Sequence, residues 1–320
     1  MTRIFVYESL SGSVRDTPCD PGMREAGVAM RNAMVGDLLR LDGLRVTCAV
    51  NGAPGCDVPP PGRGAALSTA APGPGEDALA FVARMADAHD WCWIVAPETG
   101  GLLGRLHAAV GADRWIGCDA AAIRLASSKR DTLAALVSHG LRTPLASAAT
   151  HRGRWLVKPD DGAGCLATRV HVDRSAALAD LDQRRRSGAC ATLEPFIEGE
   201  ALSISMLVGA DLARVVALNR QHIEIGADGC LCDLGVEPAA IDLGTDARAA
   251  DLEALAVATA RALPGLRGFV GIDVVWNQER GAVPIEVNPR VTCAYVGLSG
   301  KLDRNLAAEV LHLHAVETAA

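Results

Sequence analysis

The sequence predicts a parallel α/β domain followed by an α+β region rich in antiparallel hairpins. Three observations carry this. The chain opens strand–helix–strand: the apolar run at 3–7, a helical apolar period at 22–43, and a second apolar run at 44–50. Beyond residue 151 the texture changes to short β-rich runs. Two of those runs flank a turn at Gly209-Ala210-Asp211, and two more flank "NQERG".

Taken in order, "RIFVY" (3–7) is a buried strand. In 22–43 the period runs through Val28, Met30, Met34, Leu38 and Leu41 and stops at Gly43. "LRVTCAV" (44–50) is a strand, and residues 51–77, dense in proline and glycine, are a long surface loop. A helix (77–89), the strand "WCWIVAP" (91–97) and a glycine turn into a helix (97–111) follow. "RWIGCD" is a short strand, and 119–144 holds one or two helices. Ser128 and Asp131 form a capping box that puts Lys129 in a first turn, and Gly140 and Pro144 end that helix. Then come the strands "RWLVKP", "TRVHV", "CATLEPF", "ALSISMLVG" and "LARVVALN". A helix (246–265), the hairpin "GFVGIDVVWNQERGAVPIEVNPR" and a C-terminal helix complete the chain.

At 320 residues and 49% apolar, the chain can bury a large core. A net charge of −7 gives no footprint for nucleic acid. No apolar run approaches a membrane span, and "MTRIFVYESL" reads as a first strand and not as a leader. The ten cysteines show no C-x-x-C spacing and no zinc pattern. They read as reduced thiols in a cytoplasmic protein. Only three of the 31 basic residues are lysine: Lys129, Lys158 and Lys301. In a chain that uses arginine for generic charge, a retained lysine points to a need for a compact, single-point ammonium.

The last hairpin carries chemistry. With its turn centred on Glu279-Arg280, paired positions place Asp273 opposite Glu286, and Asn288 shares their face. Two opposed carboxylates on apolar strands have two sensible outcomes. One carboxylate takes a proton, or a divalent cation sits between them. Oxygen donors without Cys or His favour Mg²⁺ or Mn²⁺. A solvated edge hairpin is the bland alternative. Lys158 ends a strand and leads into a loop with Gly162 and Gly164, which suits an anion but is not a Walker A sequence. "EPFIEGE" (194–200) reads as a hinge between two strands. Glu8 and Glu98, at the ends of two N-terminal strands, lie where open α/β sheets bind ligands, and either could hold a substrate ammonium or cap a helix.

Taken in order over residues ~117–292, these pieces resemble the ATP-grasp superfamily: a helix lysine, a strand lysine with a glycine loop, E-P-F-I-E-G-E, an aspartate strand, then E-x-N-P-R. The resemblance implies an ATP-grasp fold. Residues 1–116 would be a parallel α/β pre-ATP-grasp domain. Two α+β subdomains, 117–193 and 194–320, would then clasp ATP. It implies that Lys129 and Lys158 contact the ATP phosphates, under a loop containing Gly162 and Gly164. The backbone of Glu194, Pro195, Phe196 and Ile197 would read adenine, Pro195 through its carbonyl alone. Glu200 would take the ribose hydroxyls. Asp273, Glu286 and Asn288 would hold one or two Mg²⁺ or Mn²⁺, with Arg290, Lys158 and Arg220 acting on the transferring phosphoryl group.

"IVAPETGGLLGRL", "SSKRDTLAALVSHGLRTP" and "FVYESLSG" resemble the branch that includes tyramine–glutamate ligase of methanofuran biosynthesis. That branch implies an ADP-forming ligase that makes an amide through an acyl-phosphate, joining glutamate to an aromatic amine or amino acid. Its partners are a small carboxylate and a small amine, and the family suggests a dimer. The departures are Ser128 where an aspartate is expected and Ser13 where a glycine is expected. An amino-acid ligase of the D-alanine–D-alanine or lysine-modifying kind and a non-catalytic ATP-binding protein are the alternatives. "VTCAY" (291–295) is expected to border the acyl acceptor.

Overall fold

The structure, a computed structural model, describes residues 1–12, 21–51, 58–60 and 65–315. Ser13, Cys19, Cys56 and most of 51–64, the first part of the expected 51–77 loop, lie outside them.

The first unit runs β1 (Thr2–Glu8), α1 (Ser9–Gly12), α2 (Pro21–Leu38), β2 (Leu44–Ala49), β3 (Ala66–Ala70), α3 (Ala78–Ala88), β4 (Trp91–Val95), α4 (Leu102–Val110) and β5 (Trp115–Ile116). Its strands form a parallel sheet in the order β3-β2-β1-β4-β5. Side chains of α3 and α4 cover one face, and α2 covers the other. Two expectations change here. The loop 51–77 contains β3, an edge strand with no apolar alternation, held by backbone pairing to β2 from Arg45–Ala66 to Ala49–Ala70. And α2 ends at Leu38, not 43, because Arg40 and Leu41 already turn back with N–H bonds to Asp37 O and Leu38 O.

Next come α5 (Ala120–Ala126) and α6 (Lys129–Ser138), separated at Ser127-Ser128. Ser128 caps α6 by accepting from Asp131 N at 3.1 Å. The middle unit is β6 (Trp155–Pro159), β7 (Arg169–His171), α7 (Arg174–Arg186) and β8 (Ala191–Pro195). It is an antiparallel sheet in the order β7-β6-β8, with a small core of its own at Trp155, Val157, Ala177 and Leu181. Helix α7 has no counterpart in the sequence reading. Only Ala177 and Leu181 are buried on it, a stripe too thin to register as a helical period, although Asp173 caps its start. Strand β8 continues to Pro195 in register with β6, past the expected subdomain boundary at 193.

The last unit holds β9 (Glu200–Val208), β10 (Ala213–Ile225), β11 (Leu231–Ile241), α8 (Ala249–Ala262), β12 (Gly268–Asn277) and β13 (Gly281–Asn288), then α9 (Leu298–Lys301) and α10 (Leu306–Leu313). Its five-stranded antiparallel sheet has the order β11-β10-β9-β12-β13. Strand β11 was not anticipated, for it is a largely exposed edge strand. Gly199 joins β8 to β9 in a tight passage: at φ +153°, a Cβ there would sit 2.2 Å from the Trp276 carbonyl oxygen.

The tip between β10 and β11 docks on the middle sheet. Val170 N donates to Gly229 O at 2.8 Å and Leu231 N to Thr168 O at 2.9 Å. Gly229 has φ +85°, and a Cβ would lie 2.4 Å from Val170 O. Gly229→Ala is therefore expected to undock the tip and lower stability by more than about 1 kcal/mol. Urea unfolding reads the second effect, and faster exchange of the Val170 and Leu231 amides reads the first.

The segment after β13 returns to the first unit. Tyr295 is fully buried, packs edge-on to Trp93 and Phe269, and donates its hydroxyl to Asp37 at 2.7 Å. Val291, Ala294 and Tyr295 are thus core residues that join the first and last units, and only Cys293 of "VTCAY" is well exposed. This corrects the expectation that the whole stretch borders a substrate. The eight cysteines among the described residues are unpaired. No helix among these residues is long and apolar enough to cross a membrane.

Candidate active site

The acidic hairpin has the expected register at its functional end, reached by a different route. Near the turn, Asn277 pairs with Gly281 and Val274 with Pro284. A bulge then adds one residue, so that Asp273 faces Glu286 and Gly271 faces Asn288. Pro284 is tolerated because β13 is an edge strand. The bulged residue is Ile285, and its carbonyl accepts from Lys158 Nζ at 3.3 Å.

Asp273 is held by two amide donors. Asn288 Nδ2 reaches its Oδ2 at 3.2 Å and Gln221 Nε2 its Oδ1 at 3.1 Å. Burial and the facing Glu286 raise the Asp273 pKa. The facing carboxylates thus oppose each other's charge, a pressure that either a proton or a cation relieves. The donor set, two carboxylates and an amide oxygen with no Cys or His, fits a hard divalent cation. Among the described residues no group of three or more His, Cys, Asp or Glu gathers as a self-sufficient metal cage. Mg²⁺ held by one or two carboxylates and completed by phosphate and water matches that scarcity.

Two of the three lysines arrive at this hairpin. Lys129, in the first turn of α6, is buried. Its ammonium lies 3.1 Å from Glu286 and donates to Gly162 O of the glycine loop. Lys158, on β6, lies 3.0 Å from Glu194, and both side chains are under 5% exposed. Burial pushes the Glu194 carboxyl up, and Lys158 opposes this. Lys301, by contrast, donates to Pro238 O at the surface. The loop is tied at several points. Asp160 accepts from Ser128 Oγ (2.7 Å) and Arg130 N (3.0 Å), Asp161 from Gly100 N (2.8 Å), and Ala167 O from Arg184 (2.6 Å). Asp160 and Asp161 went unassigned in the sequence, although "KPDDGAG" displays them beside Lys158.

The hinge segment lies along the free edge of the middle sheet. Phe196 N donates to Arg154 O at 2.9 Å, so Phe196 faces inward to β6. Alternation then turns the Pro195 carbonyl outward from the edge strand β8, where a missing N–H costs nothing. Arg154 stacks over the Phe196 ring at 4.5 Å, and Ile197 is buried. Glu200, at the start of β9, is engaged by Arg220 at 2.9 Å and by Arg248. Burial alone would raise its pKa, but these two bonds lower it. Arg220 sits with Glu200 and Glu237. Gln221, on β10, and Arg248, just before α8, contact these candidate residues and were missed in the sequence because neither belongs to a local motif.

Of the two readings open to Glu8 and Glu98, a substrate-binding acid or a helix cap, Glu8 makes a cap. Glu8 caps α1, accepting from Leu10 N (3.0 Å) and Ser11 N (2.8 Å). Glu98 holds Arg290 in a fork, Nε to Oε1 at 2.8 Å and Nη2 to Oε2 at 3.0 Å. Burial works against the Arg290 charge, and Glu98 more than offsets it. Both carboxylates are engaged by groups of the protein itself. Arg290 also reaches Asn288 Oδ1 at 3.3 Å. A hydrogen-bonded line thus runs from Glu98 through Arg290, Asn288 and Asp273 to Gln221.

Two lysines, a glycine loop and a carboxylate–amide trio meet between two antiparallel sheets that follow a parallel α/β domain. Residues 126–294 match the ATP-grasp domain and residues 55–123 the pre ATP-grasp 3 domain, and the chain belongs to the ATP-grasp family. Among curated proteins it is similar to tyramine–L-glutamate ligase of Methanocaldococcus jannaschii, 26% identical over 211 residues, which is 65% of this chain and 58% of that enzyme. The same ligase of Methanocaldococcus fervens is 25% identical over 213 residues, 65% of this chain and 61% of the relative. The match thus spans about three fifths of the length of these curated relatives. The fold is shared with an ATP-grasp superfamily protein of Archaeoglobus fulgidus. That structure has a TM-score of 0.71 and 21% identity, covering 98% of this chain and 88% of the other.

Proposed function

We propose that this chain is an ATP-dependent, ADP-forming carboxylate–amine ligase that makes an amide through an acyl-phosphate. The observation that carries the reading is the convergence of Lys129, Lys158, the Gly162 loop and the Asp273–Glu286–Asn288 trio at one place. The carboxylate is glutamate and the amine an aromatic one such as tyramine or tyrosine, as the similarity to tyramine–L-glutamate ligases supports. The setting would be methanofuran-like cofactor biosynthesis.

The residues divide the work by position. Lys129 and Lys158 exchange Glu286 and Glu194 for phosphate oxygens when ATP enters, so neither ammonium is ever without a counter-charge. The Pro195 carbonyl, open on the sheet edge, accepts from the adenine amino group. Glu200, held by Arg220 and Arg248, meets the ribose. Asp273, Glu286 and Asn288 would hold Mg²⁺, which supplies charge neutralisation across the phosphates. Arg290 lies beside Asn288 and meets the transferring phosphoryl group. The substrate carboxylate attacks the γ-phosphorus, ADP departs, and the amine displaces phosphate from the acyl carbon. The glycine loop, closed over the site, keeps water from the acyl-phosphate.

The test is ADP release from the purified protein with ATP, Mg²⁺, glutamate and tyramine, followed by mass spectrometry of the product. Release that requires both glutamate and the amine, with an amide of matching mass, is expected. ADP formed with other amino-acid pairs and not with any aryl amine would move the reading to the amino-acid ligases. ATP bound without turnover under every pairing would leave a nucleotide-binding protein.

A further inference from the structure

The turn that follows β4 reaches two parts of the ATP site that belong to different sheets. Its Glu98 side chain, 4% exposed, clamps Arg290, which follows β13 of the last sheet. Two residues on, Gly100 N donates to Asp161 Oδ2 at 2.8 Å, and Asp161 belongs to the glycine loop that leaves β6 of the middle sheet. Gly101 N closes the turn on Glu98 O at 2.9 Å, so the two contacts are joined through one rigid piece of backbone. The turn hangs from β4, whose Cys92, Trp93, Ile94 and Val95 are all buried.

Resting on the ligase reading, we propose that the Glu98–Gly100 turn is the positioning element of the reaction. In this assignment Glu98 acts through Arg290 and does not bind substrate. A guanidinium is planar and offers parallel N–H groups, so a carboxylate in its fork fixes both its plane and its direction. With Nε taken by Glu98, Nη2 shared between Glu98 and Asn288, and Nη1 donating to Val291 O at 3.3 Å, the guanidinium keeps one Nη1 hydrogen for a phosphoryl oxygen. Asp161 does the same for the loop. The middle sheet has only a four-residue core, so its loop takes its place from outside contacts. Gly100 supplies one of them, from the same turn that aims the arginine. Loop closure and arginine alignment are then a single event.

The experiment is steady-state kinetics on Glu98→Gln, Asp161→Ala and the double variant. Glu98→Gln is expected to lower kcat about 10- to 100-fold, the range seen when a partner that orients an active-site side chain is lost, with the ATP KM changed less than about threefold. Asp161→Ala is expected to raise the ATP KM about tenfold and, because the loop and the arginine share one turn, to lower kcat about tenfold as well. The double variant should lose at least about tenfold less in kcat/KM than the product of the single losses, because one turn carries both contacts. If Glu98→Gln does not fold, Glu98→Asp keeps the counter-charge and shortens its reach, and the same fall in kcat is expected. Losses that multiply in the double variant overturn the single element. Folded variants with unchanged kcat and KM overturn the assignment altogether and leave the ligase reading standing. Wild-type protein that forms no ADP overturns both.

Discussion

Asp273→Asn is expected to lower ADP formation by about 10³-fold while leaving the metal-free protein at least as stable as wild type. The two effects have separate causes. A preorganised charge at a phosphoryl-transfer site is worth roughly 10²- to 10³-fold, and Asp273 is one of only two carboxylates in the trio, so its loss also weakens metal affinity. Stability moves the other way. Asp273 is buried opposite Glu286, and both burial and that neighbour raise its pKa. An isosteric amide removes the like charge and still accepts from Gln221 Nε2. The sign can be checked against pH. A carboxyl whose folded pKa is raised binds protons more tightly when folded, so it contributes stability at low pH that is lost as pH rises through its folded pKa. Asp273→Asn should therefore gain on wild type as pH rises without Mg²⁺. Mg²⁺ titrations of activity, and melting curves with and without chelator, measure the two effects independently. An active variant, or one that melts well below wild type at neutral pH, would sink this account of the trio.

Lys158→Met is expected to cost both activity and stability, and a second substitution separates them. Lys158 and Glu194 are each under 5% exposed. Removing the lysine leaves a buried carboxylate without its partner, a loss of about 3–5 kcal/mol when that carboxylate stays charged. The Glu194 pKa is already raised by burial, and without Lys158 the opposing pull disappears. The folded variant then takes up a proton that the unfolded chain does not, so its deficit should shrink as pH falls and grow as pH rises. Lys158→Met with Glu194→Gln is expected to recover most of the stability and none of the ATP turnover, because phosphate still lacks its ammonium. Urea unfolding at two pH values and an ADP-release assay decide between these outcomes. Recovered turnover in the double variant would show that Lys158 serves the fold and not the nucleotide.

Much of this site was legible because its chemistry is local in sequence. Lys158 and the loop glycines lie within seven residues of one another, and Glu286, Asn288 and Arg290 within five. The hairpin register was legible at the acidic pair, although the turn and the bulge each differ from a simple count and compensate. Helix α7 was illegible because only Ala177 and Leu181 are buried on it, and β3 and β11 because edge strands owe their form to backbone pairing. Glu8 and Glu98 were legible as strand-end acids. The cap that Glu8 makes was one of the two readings open to it, whereas Glu98 meets an arginine 192 residues away that no local pattern points to.

The sequence by itself determined the order of the units, the rarity of lysine that singled out Lys129 and Lys158, and the face that Asp273 shares with Glu286. These follow from alternation, composition and turn chemistry, which act over a few residues. Only the tertiary structure decided which charge answers which. Lys129 meets Glu286 across 157 residues and Lys158 meets Glu194 across 36, while Gln221 steadies Asp273 and Glu98 aims Arg290. A buried charge is stable only beside its counter-charge. Which residue supplies that counter-charge is settled by how sheets and loops pack, and no local pattern in the chain encodes it.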